Sequence, residues 1–169
     1  AGSSISEMLA VMDSGPLDDD GGLSDALESA AADNELVKFV NKVIVDAYHQ
    51  GASDIHIEPM PGKAKTGIRF RIDGSLMPYI EVPAAYRDAM VARLKIMCDL
   101  DISEKRLPQD GRFAVTLRSG AIDVRISTMP TQHGESVVMR LLDQTSGRIV
   151  FDGADTGVQP TYSALWVVA

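Results

Sequence analysis

The stretch AIDVRISTM at residues 121–129 and the stretch ESVVMRLL at residues 135–142 decide the fold of this chain. In the first, apolar and polar side chains alternate, which is the period-two pattern of a half-buried strand. The second is an apolar run that Arg140 interrupts. Because few residues separate the two runs, we expect them to be antiparallel neighbours in a sheet.

Further segments on either side of this pair predict more strands and two helices. Strands are predicted at Asp54–Glu58, Gly67–Asp73, Ser75–Val82 and Arg112–Arg118, and amphipathic helices at Asn34–Gln50 and Pro83–Leu100. The Asp73-Gly74 step favours a tight hairpin turn, and Leu107–Gly111 reads as a Pro/Gly loop. The order of helix, hairpin, helix and three-strand meander indicates an α+β fold with an antiparallel sheet and flanking helices.

The acidity of the chain is concentrated at its start. Residues 1–35 contain nine acidic side chains and no lysine or arginine, which leaves 15 of the 24 acids against all 16 bases in the rest. For Ala1–Asp33 we expect an acidic flexible linker, with a docked partner-binding helix at Ser24–Ala32 as the alternative. The near-neutral remainder disfavours binding to nucleic acid, since that requires a basic surface.

Several kinds of site are missing from the sequence. The phosphate-cradling pattern G-x-x-x-x-G-K-[ST] does not occur, and its nearest echo, Pro61-Gly62-Lys63-Ala64, has Ala where a hydroxyl should stand. The histidines are scattered over different predicted elements, and the single cysteine, Cys98, has no partner for an internal disulfide. We therefore expect a chain that has no complete catalytic site or metal site and is no enzyme alone.

The location of the protein follows from two further patterns. No apolar run approaches the roughly 20 residues that a membrane-spanning helix needs. One cysteine in 169 residues fits a reducing compartment. We expect a cytoplasmic protein without direct membrane insertion.

Two arginines on the deciding strands are the first candidate site. If the chain turns symmetrically about Gln132-His133, Arg125 and Arg140 face each other across the two strands. Like charges placed opposite one another destabilise a sheet, so a compensating negative charge is expected. That charge could be Asp123 in a structural ion-pair cluster or the phosphate of an external ligand, and the pattern leaves both open.

Arg112 is a third candidate. It follows the segment Arg106-Leu107-Pro108-Gln109-Asp110-Gly111, which combines a rigid proline, a permissive glycine and charged side chains. Such a loop is suited to presenting groups to a partner, although a plain solvated connection fits equally well.

Long, ordered motifs along the chain resemble one known family, the secretion ATPases that drive type II secretion and type IV pilus extension. The resemblance is to their second N-terminal domain, the module ahead of the nucleotide-binding domain, and it covers about Asn34–Asp143. The segments that carry it are Gly51-Ala52-Ser53-Asp54-Ile55-His56-Ile57-Glu58, Arg69-Phe70-Arg71-Ile72-Asp73-Gly74, Arg93-Leu94-Lys95-Ile96-Met97 through Arg112, Ile122-Asp123-Val124-Arg125-Ile126-Ser127-Thr128-Met129-Pro130 and His133-Gly134-Glu135-Ser136-Val137-Val138-Met139-Arg140-Leu141-Leu142-Asp143.

The resemblance implies a PAS-like domain of a hexameric cytoplasmic ATPase. In that family the domain closes over ATP, with Mg, held by the following domain, and two of its arginines reach the phosphates. By motif these are Arg125 and Arg140, and we add Arg112 as a cofactor-binding candidate. The implied partners are the protein's own ATPase domain, neighbouring subunits of the hexamer and the secretion or pilus platform at the inner face of the bacterial inner membrane.

The resemblance stops near residue 143. Residues 144–169 show none of the motifs of an ATPase domain, so we expect an unaligned tail or the start of a linker, and a chain that is a fragment binding no cofactor alone. The alternative function is a PAS-like protein-interaction module with structural arginines and no nucleotide contact.

Overall fold

The computed structural model describes residues 3–13, 34–62, 64–117, 120–142 and 165–167. Three helices lie within these residues: α1 (Ile5–Asp13), α2 (Asn34–His49) and α3 (Ala84–Met97). The strands there are β1 (Asp54–Pro59), β2 (Lys65–Ile72), β3 (Ser75–Pro83), β4 (Gln109–Leu117), β5 (Gly120–Thr131), β6 (Gly134–Leu142) and β7 (Leu165–Val167).

The strands form one sheet in the order β3-β2-β1-β6-β5-β4-β7. The first six are antiparallel to their neighbours, and the short β7 pairs in parallel with β4. The Asp73-Gly74 turn between β2 and β3 has positive φ at both residues, 50° and 81°, as the tight-turn prediction required. The predicted α+β fold with an antiparallel sheet is confirmed.

One face of the sheet carries the hydrophobic core. The alternating apolar residues of the central strands point towards α2 and α3, and the apolar stripe of α2 packs onto them. Fully buried members include Phe39, Ile44, Ile55, Phe70, Leu94, Phe113, Ile122, Val124, Val137 and Met139. The alternating polar residues are thereby placed on the opposite face.

A buried ion pair ties α3 to the β5–β6 hairpin. The Lys95 ammonium lies 2.9 Å from a Glu135 carboxylate oxygen, and the Lys95 side chain is only 1% exposed. Lys95 Nζ also donates to the backbone oxygen of Glu104 at 2.6 Å. A buried charge is costly unless it is paired and hydrogen-bonded, so these contacts fix the start of β6 relative to the helix.

The segment after α3 differs from the prediction at both ends. The helix ends at Met97 rather than Leu100, because Asp99 adopts a left-handed φ of 55°. Gln109–Gly111, predicted as loop, are the first residues of β4 and pair with Ile126–Thr128. The Gln109 side chain accepts from the Asp101 N–H at 2.9 Å and donates to the Asp101 backbone oxygen at 3.0 Å. These contacts stabilise a strand here, although Pro108 and Gly111 favour a loop in the local sequence.

Part of the segment expected to be a flexible linker is helical in the structure. Residues 5–13 form α1, whose partly buried Ile5, Met8, Leu9 and Met12 pack against the core. Ser4 Oγ accepts from the Glu7 N–H at 3.2 Å and Glu7 Oε2 accepts from the Ser4 N–H at 2.8 Å, a reciprocal capping box. The alternative helix at Ser24–Ala32 lies outside the described residues, as does most of the tail 144–169.

Gly111 allows β4 to pass close to the end of α3. A Cβ added at Gly111 would lie 2.7 Å from Cys98 Cβ and 3.2 Å from Cys98 Sγ, closer than carbon atoms pack. Gly67 on β2 offers a contrast, since its added Cβ would meet only the flexible Met60 side chain at 3.6 Å. The close approach at Gly111 therefore fixes the position of the neighbouring Arg112 relative to the end of α3.

We expect Gly111→Ala to lower the free energy of unfolding by about 1–3 kcal/mol, the usual effect of overpacking. The matched variant Gly67→Ala has room for its methyl group and should leave stability unchanged or raise it by up to about 1 kcal/mol. Urea unfolding of both variants measures the difference. Equal stability of the two would contradict the close packing of β4 against Cys98.

Candidate functional site

A row of charged side chains crosses the sheet on the face opposite the helices. The strand register places Arg71 of β2 opposite Asp54 of β1, Asp54 opposite Arg140 of β6, Arg140 opposite Arg125 of β5, and Arg125 opposite Arg112 of β4. We call these five residues the arginine row. The predicted facing pair of Arg125 and Arg140 is confirmed. Arg112, predicted as the first residue of a strand, lies within β4 and extends the pair to three adjacent arginines.

Asp54 supplies the negative charge within the row. Its Oδ1 accepts from Arg140 Nε at 3.2 Å, and its Oδ2 lies 3.8 Å from Arg71 Nε and accepts from Ser53 Oγ at 2.7 Å. The carboxylate side chain is only 8% exposed. Each of its oxygens therefore has a fixed partner.

Asp123, the carboxylate that the sequence suggested as the counter-charge, does not take this role within the described residues. It lies two residues before Arg125 on β5 and pairs in register with Ala114 and Leu142, one row away. No ion pair joins it to a described arginine, and its Oδ1 is buried without a described hydrogen-bond partner. Local spacing suggested Asp123, whereas the pairing of β1 with β6 brings in Asp54 from 86 residues away.

Arg125 differs from its neighbours in the row. Its side chain is exposed, and among the described residues no carboxylate lies within ion-pair distance of it. It lies between two other arginines in the register. Arg125 therefore lies among positive charges and has no ion pair of its own within the described part of the chain.

Other charges on the same face are paired. Glu58 Oε2 accepts from Arg69 at 2.7 Å, and Glu58 Oε1 lies 3.1 Å from Nδ1 of His56. His56 and Arg69 form the next row along the strands on the β1–β2 side, and Glu58 lies one row further, opposite Gly67. Arg125, on the β4–β5–β6 side, has no such ion pair among the described residues.

An open groove of about 870 Å³ lies at this end of the sheet, and Arg112, Arg125 and Arg140 line it. Cys98 and Asp99 at the end of α3 form part of its wall. Burial, with a smaller contribution from the Asp99 charge, raises the pKa of the Cys98 thiol to about 12. The thiol therefore stays protonated at neutral pH and supplies no nucleophile.

Two carboxylates, Asp99 and Asp110, also line this groove, whereas its three guanidinium groups are suited to binding an anion. Neighbouring strands are about 4.8 Å apart, so the three arginines span about 10 Å, comparable to a chain of phosphoryl groups. Guanidinium groups stay charged and match phosphate oxygens through a planar fork of donors. Among the described residues, no three His, Cys, Asp or Glu side chains cluster as metal ligands.

Comparison with known proteins shows the family to which this chain belongs. Residues 29–165 match the family described as Type II/IV secretion system protein. The chain belongs to this family. The resemblance noted from the motifs is thereby confirmed, and the match extends beyond residue 143, where those motifs end.

Relatives in this family include secretion and pilus proteins. The chain is 47% identical over 114 residues to the Type II secretion system protein HxcR of Pseudomonas aeruginosa, covering 68% of this chain and 24% of that protein. It is 46% identical over 125 residues to the Type II secretion system ATPase E of Vibrio cholerae, covering 74% and 24%. It is 47% identical over 123 residues to the Type IV pilus assembly ATPase PilB of Myxococcus xanthus, covering 72% and 21%. The matched region is thus about a quarter or less of each relative.

One solved structure shows a weak similarity to this chain, and the helices were also compared with the requirements of a membrane span. A solved structure of the pilus retraction motor PilT with bound ADP matches 61% of this chain and 29% of that chain, with a TM-score of 0.40 and 19% identity, too weak to add to the argument. No helix among the described residues has both the length and the apolar character to cross a bilayer.

We expect Arg125→Gln to raise the free energy of unfolding by about 0.2–1 kcal/mol, because it removes a like charge between two arginines. The matched variant Arg69→Gln lies on the same face but breaks a half-exposed pair with Glu58, so it should lower stability by about 0.2–1 kcal/mol. Thermal and urea unfolding at low salt measure both. A loss of stability in Arg125→Gln equal to that in Arg69→Gln would contradict the uncompensated charge at Arg125.

Proposed function

We propose that this chain is the module of a hexameric secretion or pilus ATPase that brings Arg125 and Arg140 to the phosphates of ATP. The ATP, with its Mg, would be held by a separate nucleotide-binding domain of the longer protein. One observation carries the proposal: Arg125 and Arg140 face each other across β5 and β6, and Arg125 has no carboxylate partner among the described residues. A bound phosphate would supply the missing charge.

The arginines would act by electrostatic stabilisation. In phosphoryl transfer, charge is spread over the oxygens of the transferring group, and positioned cations lower the barrier. Arg125 contributes a guanidinium that no described side chain competes for, and Arg140 contributes one that is held at its inner nitrogen by Asp54. Arg112, next in the row, extends the positive surface towards the rest of the nucleotide.

The sheet would also relay motion. The arginines stand on three neighbouring strands backed by a single buried core, so they move together as one rigid surface. Closure over ATP would bring the three groove-lining arginines to the phosphates, and loss of the terminal phosphate after hydrolysis would weaken that attraction. Such a cycle couples the chemistry to rotation of this domain against its neighbours.

The proposed setting is the cytoplasmic side of the inner membrane. The partners would be the nucleotide-binding domain of the same protein, neighbouring subunits of the hexamer, and the platform of a secretion or pilus machine. The names of the relatives, a secretion ATPase and a pilus assembly ATPase, support this class of machine without separating the two systems.

A second candidate function is a protein-interaction module in which the arginines are structural. It is favoured by Asp54, which already compensates Arg71 and Arg140 inside the sheet. It is also favoured by the exposed apolar side chains of Leu107 and Met129 near the β4–β5 end. On this reading, replacing Arg125 would leave nucleotide hydrolysis unchanged.

A chimera separates the two functions. Residues 34–142 of this chain would replace the matching segment of the Vibrio cholerae ATPase E, and ATP hydrolysis would be measured on assembled protein. We expect Arg125→Ala and Arg140→Ala each to lower kcat at least about tenfold, which is about 1.4 kcal/mol of barrier. Arg69→Ala, on the same face but paired with Glu58 away from the groove, is the matched control and should keep its rate.

Rates unchanged in both arginine variants, with assembly intact, would reject the phosphate role and favour the interaction module. An equal fall in the Arg69→Ala control would show that the effect comes from the charge of the whole face rather than from the facing pair.

A further inference from the structure

Asp54 occupies an unusual place in the arginine row. It separates Arg71 from the three arginines that line the groove, and it contacts only the nearest of these three. Asp54 itself does not line the groove. Among the groove-lining residues, Asp54 is therefore hydrogen-bonded to Arg140.

The contact leaves the outer part of Arg140 available. Asp54 Oδ1 accepts a hydrogen bond from Nε, the inner nitrogen of the guanidinium. The two terminal nitrogens make no hydrogen bond with the described residues, and the Arg140 side chain is 68% exposed. One end of the guanidinium is fixed while its outer edge remains open to an anion.

The backbone around Asp54 is itself fixed on three sides. The Ser53 N–H donates to the Arg71 backbone oxygen at 2.9 Å, and the Ser53 backbone oxygen accepts from the Leu141 N–H at 3.0 Å. The Ala52 N–H donates to the Ala47 backbone oxygen at 2.9 Å, which anchors the segment to the end of α2. The Asp54 carboxylate is therefore a rigid reference point and not a mobile surface acid.

We propose that Asp54 is a positioning residue for phosphate recognition, holding Arg140 by its inner nitrogen so that the outer nitrogens are presented to a phosphoryl group. This inference rests on the proposed function of the groove. A long arginine side chain loses considerable rotamer freedom when it is ordered, and an arginine ordered in advance loses less on binding. Asp54 would thus strengthen phosphate binding although its own charge repels phosphate.

The ordering of Arg140 by Asp54 and the repulsion between Asp54 and phosphate have opposite effects on binding, so the two can be separated by experiment. If charge alone mattered, Asp54→Asn would remove a negative group close to the groove and tighten the binding of a phosphate anion. If positioning matters, the same isosteric change frees Arg140 and weakens binding. The two accounts predict opposite signs for one variant.

The probe is inorganic pyrophosphate, titrated calorimetrically into the intact chain and into the variants Asp54→Asn, Ser53→Ala, Arg71→Gln and Arg140→Gln. Arginine Nε–H signals in ¹H–¹⁵N spectra report separately whether Arg140 is held. We expect Asp54→Asn to weaken binding about three- to tenfold and to expose the Arg140 Nε–H to rapid exchange. Ser53→Ala removes the hydrogen bond to Oδ2 and a longer one, of 3.4 Å, to the Arg71 backbone oxygen. It should act in the same direction with a smaller effect.

Two controls locate the effect. Arg71→Gln removes the other partner of Asp54 outside the groove and should leave the Arg140 signal and the affinity for pyrophosphate nearly unchanged. In the Arg140→Gln background, adding Asp54→Asn should cause no further weakening, because the residue through which Asp54 acts is gone.

Each remaining outcome overturns the proposal in a recognisable way. Equal or tighter binding by Asp54→Asn, with pyrophosphate still bound by the unsubstituted chain, rejects positioning and leaves the phosphate site intact. A similar loss in Arg71→Gln rejects the route through Arg140. If the unsubstituted chain binds no pyrophosphate while its Arg140 signal depends on Asp54, the phosphate site fails and Asp54 is only a structural partner.

Discussion

The register that places Arg125 directly opposite Arg140 is the constraint on which the candidate site depends. A shift of one residue between β5 and β6 would turn one strand's side chains to the other face, bringing charge into the core and apolar groups into the groove. The buried Val124, Ile126, Val137 and Met139 on the helix side oppose such a shift. The hydrophobic effect on one face thus holds like charges together on the other.

The surrounding structure supports this arrangement from both ends. The Lys95–Glu135 ion pair fixes the start of β6 against α3, five residues before Arg140. Gly111 lets β4 pass against Cys98, immediately before Arg112. These contacts hold β6 close to Arg140 and β4 close to Arg112, so the spacing of the arginines depends on how the strands pack against α3.

Local sequence patterns predicted much of this fold, and the misses have physical causes. Alternation within β5 and β6 predicted their strands, and their short connection predicted the Arg125–Arg140 pairing. Asp54 could not be assigned as the counter-charge, because the β1–β6 pairing is non-local and leaves no periodic signal. The sequence of α1 contains a capping box at Ser4 and Glu7 and apolar residues at helical spacing. The helix was nevertheless not predicted, because the acidic composition of the whole segment favoured a flexible linker.

The crystal structure of the chain with bound pyrophosphate tests the central claim most directly. The account predicts an anion in the groove with its oxygens within about 3 Å of guanidinium nitrogens from both Arg125 and Arg140, while Arg140 Nε stays on Asp54. An anion held elsewhere, such as between Arg69 and Arg71, or an Arg125 side chain turned away from the bound anion, would contradict the account.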